Sequence, residues 1–332
     1  MYKWVSKSKT PQLASVVQHS EGLAFATVSH KEATKKPRLE KCFFQPQLSD
    51  VQTTLQQLLQ QSRRIKQPVT TLLNSSQFTL LLMQRPNVDK DELIDAVRWQ
   101  IKDQLNYPAE EAIIEVLDIP GQQERGRTPM IYTVATHQDI LKSSINLLED
   151  SNLNLKYIDI PELAQRNISS LLPEDFIGVA LLNLQATSGL LTITHEGELY
   201  LSRVIDVGYE HLEIEEDTSD EDSGLSLEET TSAFEVNFGK IVLEIQRSLD
   251  YYESHYGKAT IGNLIIAPLE NEIPCLNEKL EQELGLAVRN LSLDEIVESE
   301  TALDIEIQSR CFTAIGAALR LAVDNSTLSK FE

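Results

Sequence analysis

Between positions 13 and 84 the apolar residues fall in short runs. "LASVVQ" (13–18), "GLAFATVSH" (22–30) and "RLEKCFFQ" (38–45) are bounded by turn-forming or charged residues, which predicts three strands. The basic stretch "KEATKKPR" between the last two reads as a solvated loop. The spacing then changes. Val51, Leu55, Leu58, Leu59 and Ile65 fall on one helical stripe, with Asp50 placed to cap it. "PVTTLL" (68–73) and "FTLLLMQ" (78–84) return to strands, so the order is β-β-β-α-β.

A different unit follows. Leu93, Val97, Ile101 and Leu105 stand four apart in a predicted helix over 87–108 that Pro108 ends. Strands at 113–119, 129–137 and 155–160 alternate with a helix over 138–151. This β/α unit interrupts the larger pattern as an inserted subdomain. From 177 the strand triplet returns at 177–184, 189–195 and 198–206. After a densely acidic stretch comes a long helix with Phe238, Ile241, Val242, Ile245, Leu249 and Tyr252 at helical spacing and Gly257 as its stop. "NLIIAP", the helix "IPCLNEKLEQELG", "LAVRNL" and an Ala-rich helix over 310–323 close the chain. The β-β-β-α-β order thus occurs twice, near 13–84 and near 177–290. Two such halves facing one another would set their first hairpins at the floor of a cleft, the geometry of an actin-like nucleotide-binding fold. The expected organisation is a first half at 1–85, an insertion at 86–160, a linking helix at 161–175 and a second half at 176–332.

Charge narrows the function. The 332 residues carry 29 Lys and Arg against 51 Asp and Glu, a net charge of −22, which disfavours nucleic acid and anionic lipid as partners. The acidic stretch 210–230 reads as a solvated loop. Cys42, Cys275 and Cys311 are far apart, each beside apolar residues, and read as reduced core thiols of a cytoplasmic protein. No apolar run is long enough to span a bilayer, and the first residues do not form a signal peptide. The six His residues show no HxxxH or HxH spacing and no GxSxG elbow occurs, so neither a metal site nor a hydrolase triad is expected.

Three stretches carry a resemblance. "ELIDAVRWQIKDQLNYPAEEAIIEVLDI" (92–119) resembles the inserted subdomain of the PilM family, the actin-like proteins of type IV pilus assembly. The matching residues are Ala96-Val97-Arg98-Trp99, Lys102-Asp103, Tyr107-Pro108 and Glu110-Glu111. "EIQRSLDYYES" (244–254) resembles the family's long second-half helix, and "PCLNEKLEQELGLAV" with "AIGAALR" (314–320) its closing helices. Within the family, the variants look most like the branch serving the mannose-sensitive haemagglutinin (MSHA) pilus. The resemblance implies an actin-like ATPase fold, two ribonuclease H-like halves with an inserted α/β subdomain in the first. It also implies a scaffold that holds the cytoplasmic N-terminal tail of an inner-membrane partner, PilN-like or MshJ-like, in a groove between the first half and the insertion. Membrane association would then be indirect. The partner-binding candidates are Arg98, Trp99, Lys102 and Tyr107.

A working nucleotide site in this fold needs glycines where backbone N–H groups meet phosphates, and an acid to hold the metal. The family's first hairpin has an Asp-x-Gly pattern; here Val16 and Gln18 hold those positions, and only Ser20 and Gly22 remain as small turn residues. The second hairpin has Asn183 and Gln185 for the same pair, followed by Ala186, Thr187 and Ser188. The third site, expected as a glycine run, reads Ala267, Pro268 and Leu269, and proline lacks an N–H. The expectation is therefore a degenerate site with no cofactor and no enzymatic activity. The competing readings are an ATP-binding switch using ATP with Mg²⁺, and a filament-forming actin-like protein.

Overall fold

The chain is described from a computed structural model, which covers residues 11–30, 36–62, 65–122, 128–212 and 227–320. The expected acidic loop 210–230 lies mostly outside these residues, as do the chain's first ten residues and its last twelve.

Two five-stranded mixed sheets repeat one topology. β1 (Gln12–His19), β2 (Gly22–Ser29) and β3 (Arg38–Pro46) form an antiparallel meander; α1 (Val51–Ser62) then leads to β4 (Val69–Leu72), parallel to β1. The Asp50 carboxylate accepts the Thr53 N–H at 2.8 Å, the expected cap on α1. The insertion supplies β5 (Thr79–Gln84), α2 (Leu93–Ile101), β6 (Ala112–Asp118), β7 (Met130–His137) and α3 (Gln138–Asp150) before β8 (Leu155–Asp159). The first sheet runs β3-β2-β1-β4-β8. α4 (Pro161–Ser169) crosses to the second half, where β9 (Val179–Leu184), β10 (Gly189–His195) and β11 (Glu198–Ile205) repeat the meander. α5 (Leu227–Tyr256), β12 (Asn263–Ile266), α6 (Leu276–Leu284) and β13 (Ala287–Asn290) complete a sheet ordered β11-β10-β9-β12-β13. Both sheets therefore have two antiparallel pairs followed by two parallel ones. This doubled topology is the actin-like fold.

Two strands pair differently from the sequence reading. β5, expected to close the first half, lies at an edge of the small antiparallel sheet β5-β7-β6. β8, expected within the insertion, pairs parallel with β4 and belongs to the first sheet. Apolar alternation fixes that a run is a strand but not its neighbour. The helix expected over 87–108 is also shorter, with 3₁₀ turns at Lys90–Glu92 and Lys102–Gln104 flanking α2. The closing helix expected over 310–323 is α8 (Phe312–Ala318), preceded across Cys311 by α7 (Ile305–Arg310), which the sequence reading did not include.

The crossing of α4 and α8 joins the halves. Ala164 and Ile168 of α4 and Phe312, Ile315 and Ala318 of α8 share one buried cluster with Val17 and Ala24 of the first sheet and Leu181 and Ile265 of the second. Buried polar groups pin the crossing. The Ser15 hydroxyl donates to Ala314 O at 2.7 Å, Asn167 Nδ2 to Gly316 O at 3.0 Å, and Gln165 Nε2 to Leu181 O at 2.7 Å. One face of the insertion sheet packs on α2 through Leu93, Val97 and Ile101. From the other face Tyr132, with Ile119 beyond β6, joins the core of the second half, and the Ser202 N–H of β11 donates to the Tyr132 hydroxyl at 2.9 Å. Cys311 is buried and Cys42 partly so, but Cys275 is exposed, contrary to its reading as a core thiol. It sits just before α6 in a left-handed conformation (φ 58°).

Candidate functional site

Both first hairpins face the cleft between the halves. In the first, His19 pairs with Gly22 across a two-residue turn of Ser20 and Glu21. In the second, Leu184 pairs with Gly189 across Gln185–Ser188, and Gln185 N donates to Ser188 O at 2.8 Å. A cavity of about 340 Å³ lies between them, lined by Gln18, His19 and Ser20 from one side and Gln185 and Ser188 from the other. A neighbouring hollow of about 220 Å³ is lined by Asn183, Ala186, Thr187, Glu270 and Arg310. The structure thus gathers seven of the ten predicted positions at one place. Gly22 instead packs against β3, where a Cβ would stand 2.2 Å from Gln45 O. Ala267 and Pro268 are buried, and Pro268 lines a separate cavity of about 440 Å³ beside α6.

Phosphate binding in this fold calls for free backbone donors and a cation at the cleft. Gln18 and Gln185 line the cleft at the two hairpins. Val16, at the expected acid position, is buried in the core under α1. The Ala267 N–H is already bonded to Leu182 O at 2.8 Å, and Pro268 has none, so these two offer no backbone donor. The one guanidinium at the hollow, Arg310, is ringed by carboxylates: Glu270 at 3.1 Å, Glu306 at 3.3 Å and Glu21 at 3.9 Å. Its charge is spent within the protein. Gly208 shows why the second turn keeps its shape. A Cβ there would stand 2.2 Å from Gln185 O and 2.3 Å from Ala186 O.

Two cleft residues were not singled out by the sequence. Glu162, in the first turn of α4, lines the cavity at 4% exposure, and its Oε2 has no hydrogen-bond partner. Burial, helped by the charge of Asp159, pushes its carboxyl up to about 7. His19 lies opposite, tilted against Phe44, and burial pushes its imidazole down to about 4, so it is neutral at pH 7. His19 ends β1 and Glu162 follows β8 at the cleft, positions visible only once the two sheets are paired.

On the insertion, the four partner-binding candidates divide. Arg98 Nη1 donates to Ala109 O at 2.5 Å and Ala112 O at 2.7 Å, which ties α2 to the start of β6. Tyr107 packs edge-on against His137 at 5.1 Å, with its hydroxyl buried. These two are half-buried and make their contacts within the insertion. Trp99 is 70% exposed, and Lys102 Nζ lies 4.6 Å from its ring centroid. That pair presents an amphipathic anchor to solvent.

No protein-family model matches this sequence, and no curated protein matches it. Solved structures do match. The chain is similar to one from a PilM–PilN type IV pilus biogenesis complex, with 19% identity, a TM-score of 0.72, and coverage of 94% of this chain and 98% of that one. Weaker likenesses are to the cytoplasmic domain of EpsL, an inner-membrane component of the type II secretion system of Vibrio cholerae, and to a Bacteroides thetaiotaomicron protein with an actin-like ATPase fold. The first has 9% identity, a TM-score of 0.48, and covers 96% and 95% of the two chains. The second has 8% identity, a TM-score of 0.47, and covers 87% and 93%. At these identities the likeness is one of fold: the chain is an actin-like protein with a small antiparallel insertion.

Proposed function

We propose that this protein is a non-catalytic scaffold of a type IV pilus assembly complex, an MshI-type member of the PilM-like group. Its partner is the cytoplasmic N-terminal tail of a PilN-like or MshJ-like inner-membrane protein. The supporting observation is the end-to-end likeness to the chain of a PilM–PilN complex, including the insertion. Among the described residues no helix is long and apolar enough to cross a membrane, so in this reading the tail supplies the membrane attachment. The insertion offers a docking surface of suitable chemistry. Among the described residues β5 pairs with β7 alone and leaves one backbone edge for an extended segment, and Trp99 of α2 with Lys102 of the 3₁₀ turn after it adds an exposed aromatic–cation pair on the same insertion.

Calorimetric titration with a synthetic tail of an MshJ-like protein tests this. Binding is expected, and Trp99→Ala should weaken it about 30-fold or more, the size of a hot-spot aromatic. No binding by the unaltered protein would sink the proposal. Absence of nucleotide chemistry is tested separately. ATP with Mg²⁺ is expected to leave the melting temperature unchanged; a dose-dependent rise would instead establish a switch.

A further inference from the structure

The cavity between the hairpins is built for something other than phosphate. Its walls include no Lys or Arg. Polar groups come from both halves: the Gln18 and Gln185 amides, the Asn74 amide, and the Ser188 and Thr313 hydroxyls. Val17, Leu72, Leu190 and Val204 supply apolar wall between them. Glu162 is the one acidic residue in this lining, and no hydrogen bond satisfies its Oε2. Neither nearby guanidinium serves it: Arg166, one turn along α4, donates to Asn167 Oδ1 at 2.9 Å, and Arg320 is bonded to Asp159 at 2.5 Å. Asp159 is further engaged by the Ile160 N–H at 3.0 Å.

A buried carboxyl without a counter-charge is unfavourable, and a charge-assisted hydrogen bond relieves it. Each ligand class can be weighed against that. A phosphate ester would meet a carboxyl and no free cation. A purely apolar molecule would leave the carboxyl and the amides unpaired. A metal ion would need more anionic or imidazole ligands than this wall holds, and among the described residues no group of three His, Cys, Asp or Glu is placed to bind one. An amine satisfies the carboxyl with its ammonium group and the amides and hydroxyls with its remainder.

We infer that the cleft of this actin-like protein is a binding site for a small organic amine, whose ammonium group pairs with Glu162 while Gln18 and Gln185 close on it from the two halves. The site is independent of tail binding at the insertion.

Thermal shift on the full chain tests it with putrescine, spermidine and glucosamine as probes, and with 1,4-butanediol and glucose as uncharged counterparts. At least one amine is expected to raise the melting temperature in a dose-dependent way, and its uncharged counterpart to leave it unchanged. Glu162→Gln should abolish the shift while folding normally, since it keeps shape and removes a buried charge. Glu278→Gln, at an exposed carboxylate outside this cavity, should retain it. The inference is overturned if no amine shifts the protein, or if the uncharged counterparts act equally. It is also overturned if Glu162→Gln responds like the unaltered chain, which would mark counterion binding to the acidic surface.

Discussion

Glu162→Gln is expected to stabilise the ligand-free protein at pH 8 by about 3 kcal/mol, from a carboxyl raised from 4.5 to about 7 at about 1.4 kcal/mol per unit. The effect has a defined window. Below pH 4.5 the carboxyl is protonated in both the folded and unfolded chains, and the substitution changes little. Between 4.5 and 7 the unfolded chain releases this proton while the folded one keeps it, so the native state loses stability as pH rises. Above 7 the full deficit is present. His19 acts in the opposite direction. Its imidazole, held down at about 4 by burial, makes the folded chain lose stability as pH falls below 6.5. The two slopes oppose each other across pH 4.5 to 6.5, so the variant should show a steeper rise of stability with pH than the unaltered protein. Urea titrations of both at several pH values measure the difference directly. Parallel pH profiles would mean that Glu162 is charged and satisfied in the native state.

Gly316→Ala is expected to destabilise the protein by about 1–3 kcal/mol, the range for overpacking a tight core. Sequence logic alone gives the opposite sign, since alanine in a helix interior is favoured over glycine by about 1 kcal/mol. Packing decides. A Cβ at position 316 would stand 2.4 Å from the backbone oxygen of Ala164 and 3.1 Å from the Ile168 side chain. The obstacle is backbone of α4, which cannot rotate away as a side chain can. The same crossing carries the bond from Asn167 to Gly316 O, so moving the helices apart also strips a buried acceptor. Because α4 and α8 join the two halves, the unfolding midpoint in urea should fall for the molecule as a whole. A midpoint that rises would show that the crossing is looser than described.

Trp99 and Tyr107 show where the sequence sufficed and where it did not. Trp99 falls off the stripe of Leu93, Val97 and Ile101, which left exposure and packing on the insertion's own sheet both open, and the structure exposes it. Nothing in the spacing of Tyr107 or Arg98 distinguished them from it, although both turn inward to satisfy contacts within the insertion. At the cleft, the placement of Gln18 and Gln185 beside the two hairpin turns was legible, because strand and turn positions follow from local alternation. Glu162 and His19 were not. Their chemistry comes from burial, and burial at the cleft depends on strands and helices from both halves.

By itself, the sequence determined most strands and helices, the repeated β-β-β-α-β order and which residues stand at the hairpin turns, because periodicity and residue placement are local properties. Only the tertiary structure decided that β5 belongs to the insertion and β8 to the first sheet, since hydrogen-bond partners are chosen across long stretches of chain. It alone neutralised Arg310 with three carboxylates and left the Glu162 Oε2 without a hydrogen-bond partner among the described residues, because electrostatic pairing acts through space.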